Sequence, residues 1–241
     1  MISKNQIKFV RQLEQKKYRR REGCFVAEGP KVVGDLMRVG FRPRQLYATT
    51  AEWTGAQQIT EEELQRISFL MHPQQVLAVF PLPAPPADVV PATGSLYLAL
   101  DGIQDPGNLG TIIRIADWFG IDTIYCSEDT VDAWSPKVVQ ATMGSIARVH
   151  IIYTDLPALF DKSGLPVYGT LLDGDDIYRQ PLTDEGIIVM GNEGNGLSAE
   201  VREKVTRRLL IPSFRKGDTA ESLNVAIATA ITCSEFRRRQ D

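Results

Sequence analysis

The chain is poor in the residues that carry metal or covalent chemistry. Its 241 residues include 3 cysteines and 2 histidines. Cys24, Cys126 and Cys233 are widely spaced, odd in number and without a C-x-x-C pair. Neither His72 nor His150 stands at a ligand spacing from them, so a disulfide framework and a structural zinc are both excluded. No G-x-S-x-G elbow occurs, which weakens a serine-nucleophile reading. Long apolar runs are missing too. No stretch approaches the ~20 residues needed to cross a bilayer, and residues 1–22 are polar and basic rather than signal-like. The expectation is a reduced, cytoplasmic protein with no metal and no membrane contact.

An overall excess of positive charge is also lacking, since 27 Lys and Arg face 30 Asp and Glu. The distribution says more than the sum. Residues 1–22 carry Lys4, Lys8, Arg11, Lys16, Lys17, Arg19, Arg20 and Arg21 against only Glu14 and Glu22. A compact basic patch on an acidic body suits a polyanion. The competing reading is a solvated basic helix face.

What is present is a regular α/β pattern. Five prolines between Pro81 and Pro91 break the chain, because proline continues neither a helix nor a central strand. This predicts a linker at about 81–94 between a domain at 1–88 and a domain at 95–241. In the first, helices are expected over 4–17 and 31–39, the latter opened by Gly29-Pro30. Thr60 with Glu63 has capping-box spacing. Strands are expected over 24–27, 45–48 and 76–80. In the second, strands at 96–100, 123–126, 149–152, 167–171, 187–190 and 208–211 alternate with helices at 109–119, 136–146, 155–162, 198–205 and 224–238. Alternation of this kind implies a mostly parallel sheet with ligands beyond its carboxyl ends.

Three loops at those ends stand out. The first is Asp101-Gly-Ile-Gln-Asp-Pro-Gly-Asn108-Leu-Gly110, with Asn108 as candidate N-cap and Arg114 one turn further, free to face a ligand or to pair with Asp117. The second is Gly191-Asn-Glu193-Gly-Asn-Gly196-Leu-Ser198. It fits neither the dinucleotide fingerprint nor the P-loop. Its Glu193 needs loop amides or another partner to bond, and Ser198 is placed to cap the next helix. The third ends in Ser222-Leu223-Asn224, two polar residues where one cap would do. Capping by Ser222 alone leaves Asn224 unexplained.

Together these loops resemble, in order, the three motifs of the SpoU (TrmH) family of RNA ribose 2′-O-methyltransferases, within the SPOUT class. Asp105-Pro-Gly-Asn108-Leu-Gly with Arg114 is similar to the first. Gly191-Asn-Glu193-Gly-Asn-Gly196-Leu is similar to the second, and Ile211-Pro212 with Ser222-Leu-Asn224-Val-Ala to the third. Phe25-Val-Ala-Glu28-Gly29 resembles the family's L30e-like substrate-binding domain. The resemblance implies a C-terminal trefoil knot, a homodimer formed through the knotted domain and last helix, and S-adenosyl-L-methionine as cofactor. It also implies an RNA substrate, ribosomal before transfer RNA. Carried over residue by residue, it assigns catalytic roles to Asn108, Arg114, Glu193, Ser222 and Asn224. It assigns cofactor contacts to Thr170, Leu171, Gly191, Asn192, Gly196, Ile211 and Leu223. RNA contacts fall to Lys16, Lys17, Arg19, Arg20, Arg21 and Lys31. Pro30-Lys31, Ser213-Phe214 and the insert at 215–220 depart from the family pattern, at places that bear on which RNA is chosen. The alternative class is a non-catalytic RNA-binding protein that keeps the fold. Loss of Asn108, Arg114, Glu193 or Asn224 would mark it, and all four are present.

Overall fold

The computed structural model describes residues 1–84, 90–215, 217 and 221–239. In chain order the elements are α1 (Lys4–Gln12), α2 (Lys16–Glu22), β1 (Cys24–Glu28), α3 (Pro30–Val39), β2 (Gln45–Ala48), β3 (Gln57–Gln58), α4 (Glu61–Ile67) and β4 (Val76–Pro81). There follow β5 (Leu96–Asp101), α5 (Pro106–Trp118), β6 (Thr123–Cys126), α6 (Pro136–Ala141), β7 (His150–Tyr153), α7 (Leu156–Ser163) and β8 (Val167–Asp176). The chain closes with β9 (Gly186–Gly191), α8 (Ala199–Glu203), β10 (Arg207–Leu210) and α9 (Val225–Arg238). It divides into two compact units, Met1–Ala84 with Asp132–Arg148, and Pro85–Val131 with Val149–Asp241.

In the first unit the strands pair in the order β1-β4-β2-β3, antiparallel except for β2 with β3. The capping box expected at α4 is formed: Thr60 accepts from the Glu63 amide and Glu63 reaches back to Thr60. The helix expected over 4–17 is instead two. Arg19 Nη1 donates to the carbonyls of Leu13 at 2.8 Å and Glu14 at 2.7 Å, satisfying oxygens that a break leaves open. The same guanidinium bonds Asp132 through Nε and Nη2. Arg19 is therefore 3% exposed. That corrects its placement on an RNA-facing surface, whereas Lys16, Lys17, Arg20 and Arg21 are exposed.

Segment 132–148, read in the sequence with the second domain, packs in the first unit. Besides the Asp132 bond, the Trp134 ring lies 4.6 Å from that of Phe25 in β1. The helix expected over 136–146 stops at Ala141 because Met143 and Gly144 take φ of 51° and 97°. A side chain at Gly144 would run into Asp35, itself held by Lys31 at 3.1 Å and Arg38 at 2.6 Å.

The second unit carries, among the described residues, a fully parallel sheet in the order β10-β8-β9-β5-β6-β7. Its central strands β5 and β9 are buried and apolar on both faces, as a sheet covered on two sides requires. Ala99, Ile187 and Val189 pack with Leu156, Leu159, Phe160 and Val201 from α7 and α8. Helices α5 and α9 pack on one another.

Candidate active site

Strands β5 and β9 run side by side, with Asp101 opposite Gly191. The chain leaves β5 toward β6 on one side and reaches β9 from β8 on the other. The carboxyl ends of this pair are the switch point of the sheet, where loops diverge and a ligand finds room.

The first loop opens α5 through Asp105, whose Oδ1 accepts from the Asn108 amide at 2.8 Å. Asp105, not Asn108, is the cap, which releases the Asn108 side chain. Its Nδ2 donates to Glu193 Oε1 at 2.9 Å, the partner that this carboxylate among glycines required. The second loop is folded by Asn192. Its Oδ1 accepts from the amides of Gly194 and Asn195, both at 3.0 Å, and its Nδ2 donates to the Gly102 carbonyl at 2.7 Å. Asn192 and Gly196 exchange backbone bonds at 2.9 Å, so close that a Cβ on Gly191 would strike the Gly196 backbone. Ser198 precedes α8 without capping it by its side chain. Its amide donates instead to Asp101 Oδ2 at 2.6 Å.

The third loop delivers Asn224, not Ser222, as the N-cap of α9. Asn224 Oδ1 accepts from the amides of Ala226 at 2.9 Å and Ile227 at 3.3 Å. Its Nδ2 donates to Asn108 Oδ1 at 2.9 Å. The direction of this chain is fixed from one end. A capping Asn224 turns its NH₂ outward, Asn108 must answer with its oxygen, and the Asn108 NH₂ is left for the Glu193 carboxylate. Two amides and a carboxylate thus tie all three loops together.

The other expected residues lie around this chain. Thr170 Oγ1 donates to Val189 O at 3.1 Å at the end of β9, and Leu171 is buried beside it. Gly191, Asn192 and Ile211 are half-buried, while Gly196, Leu223 and Ser222 are exposed. Arg114 projects from the exposed face of α5 and, among the described residues, forms no ion pair with Asp117 or any other carboxylate. Lys31 is exposed in the first unit and pairs with Asp35. Asp101 and Asp105 were not singled out in the sequence, although an Asp directly before Pro106 is a readable helix start. Neither Cys126 nor Cys233 is poised for attack: burial pushes Cys233 up to about 12 and raises Cys126 as well.

A parallel sheet with three amide-rich loops at its switch point is an α/β domain arranged to hold a ligand beyond the carboxyl ends of its strands. The SpoU rRNA Methylase family model matches residues 95–234, and an MRM3-like substrate binding domain matches residues 4–78. The chain belongs to the SpoU rRNA methylase family. It is 32% identical to a 23S rRNA (guanosine(2553)-2′-O)-methyltransferase of Bacillus subtilis, over 98% of this chain and 97% of that protein. Its fold matches a putative TrmH-family RNA methyltransferase of Porphyromonas gingivalis at TM-score 0.88 and 47% identity, over 99% of both chains. It also matches an AdoMet-bound rRNA methyltransferase of Sinorhizobium meliloti at TM-score 0.88 and 33% identity, over 99% of this chain and 97% of that one.

Proposed function

We propose that the protein methylates the ribose 2′-hydroxyl of a ribosomal RNA nucleotide, in the cytoplasm and as a homodimer whose C-terminal domain is knotted. The Asn224–Asn108–Glu193 chain carries this reading, because it joins the three loops that hold the reacting groups. When bound, the cofactor supplies a sulfonium methyl with a neutral leaving group. The exposed side chains of Leu172 and Leu223 offer the apolar surface an adenosyl group covers, and the folded backbone at 191–196 supplies amides and carbonyls beside it. Thr170, Leu171, Gly191, Asn192, Gly196, Ile211 and Leu223 would hold the cofactor there.

Asn224 and Ser222 orient the 2′-oxygen, and Asn108 fixes Asn224 and Glu193 at once. Arg114 stays protonated, so it acts as a donor that binds phosphate and stabilises charge developing on the oxygen rather than as a base. The first unit carries 15 Lys and Arg against 9 Asp and Glu, which supports it as the RNA-holding part. The three buried, unbonded cysteines suit a reducing compartment. The test is transfer of labelled methyl groups to ribosomal and transfer RNA lacking the modification, followed by mapping of the methylated ribose. Ribosomal RNA is expected to accept the label at one 2′-oxygen. Label on transfer RNA alone, or on a base, overturns the proposal.

A further inference from the structure

Phe214 is 85% exposed, as is Trp118 at the end of α5, whereas Tyr125, Phe160, Tyr168 and Phe236 of the same unit are buried; of the two bare rings, Phe214 is the one on a loop at the carboxyl end of the sheet. Among the described residues it makes no ring contact. It lies four residues past the end of β10 and ten before the Asn224 cap, on the loop that leaves the same sheet end as the two loops described above. Its neighbour Arg215 is also exposed. The unit around them is acidic, with 12 Lys and Arg against 21 Asp and Glu. A bare ring beside a cation, on the loop between β10 and the Asn224 cap in an acidic unit, calls for a ligand with a flat apolar face and a negative charge.

Two ligands meet there. The cofactor has a flat adenine but a positive sulfonium and no phosphate, so Arg215 gains nothing from its adenosyl end. An unpaired nucleotide of the RNA has both a base and a phosphate. Aromatic side chains are the usual platform for such unstacked bases, with arginine at the backbone. We propose that Phe214 stacks on an unpaired base next to the methylated nucleotide while Arg215 meets its phosphate. The enzyme then selects a target whose neighbour is unstacked. This rests on the RNA methyltransferase reading above.

The test compares the wild type with Phe214→Ala, Phe214→Trp and Arg215→Gln. Each acts on a short RNA whose target lies in a loop and on the same sequence annealed into a duplex, and cofactor Kd is measured by calorimetry. Phe214→Ala should raise KM for the loop RNA about tenfold, the low end of base-stacking effects. It should leave kcat and cofactor Kd unchanged and make no difference on the duplex. Phe214→Trp should restore the wild-type KM, and Arg215→Gln should raise KM and reduce its salt dependence. A weakened cofactor Kd in Phe214→Ala would place the ring on the cofactor and overturn the proposal, as would unchanged KM or an equal effect on the duplex. A wild type that binds the cofactor but methylates neither RNA would instead defeat the reading beneath it.

Discussion

At the scale of single residues, Asn224 does two jobs that one substitution separates. Asp caps a helix as well as Asn does and suits the positive end of the helix dipole. Asn224→Asp should therefore keep the melting temperature of the wild type. It cannot donate to Asn108, however, and Asn108 would be left between two carboxylates with one NH₂ to offer. Methyl transfer should fall about 100-fold, as misplacement of about 1 Å does in other sites. Equal activity in the two proteins would remove the chain from the mechanism. Arg19 teaches the converse. By sequence it is one cation in a basic run, and nothing local distinguishes it from Arg20. Its partner Asp132 is more than a hundred residues away, so only the fold reveals it as buried. Arg19→Ala leaves Asp132 without its counter-ion and should cost about 3–5 kcal/mol of stability in a denaturant titration. Gln at Arg20 and Arg21 should leave stability alone and lower the salt slope of RNA binding by about one per residue. If Arg19→Ala behaves as they do, the buried pair is unimportant.

At the scale of elements, most of what could be read locally was read correctly, and most of the failures share a cause. The strands at 45–48 and 123–126 and the Thr60–Glu63 box follow from patterns a few residues long, and each forms as expected. Most of the misplaced features depend on distant partners. Helix 4–17 breaks where Arg19 donates to the carbonyls of Leu13 and Glu14, helix 136–146 breaks where Gly144 passes Asp35, and segment 132–148 joins a unit far away in sequence. The cap of α5 was expected at Asn108 and lies three residues earlier at Asp105, since candidate polar residues are crowded at that start and only geometry chooses among them. The end of α9 offers a check on such contacts. Glu235 is held below the usual carboxylate range, first by its hydrogen bond to Arg238 and then by Arg239, which also donates to the carbonyls of Ile177 at 3.1 Å and Tyr178 at 2.6 Å. A depressed carboxylate adds stability that is present above its unfolded value of 4.5 and is lost as pH falls through the folded value. Glu235→Gln should therefore melt below the wild type at pH 7, and the gap should narrow as pH falls below 4.5. A gap that stays constant as the pH is lowered would assign the loss to packing rather than charge.

At the scale of the whole molecule, charge and apolar surface are sorted between different places. The positive charge collects in the first unit and the negative charge in the second, a division that favours the first as the proposed electrostatic holder of RNA. The second unit nevertheless leaves Trp118 85% exposed on α5 and Ile227 53% exposed on α9, on two helices that pack together. Solitary apolar residues on a surface need no explanation, but an exposed Trp at the carboxyl end of α5 and an exposed Ile at the amino end of α9 mark the two ends of one parallel helix pair, a surface suited to an interface. The proposed homodimer gives it an occupant, because a two-fold contact sets the same patch against itself and needs no other partner. Trp118→Arg would then place two like charges across the axis. In sedimentation equilibrium the wild type should run as a dimer at micromolar concentration and Trp118→Arg as a folded monomer. Cofactor affinity and methyl transfer measured on that monomer decide what the pairing is for. Loss of transfer means that Arg114, four residues away on the same exposed face, works only when the two copies meet. Full activity in the monomer would confine the patch to assembly and leave the Asn224–Asn108–Glu193 chain complete within one copy.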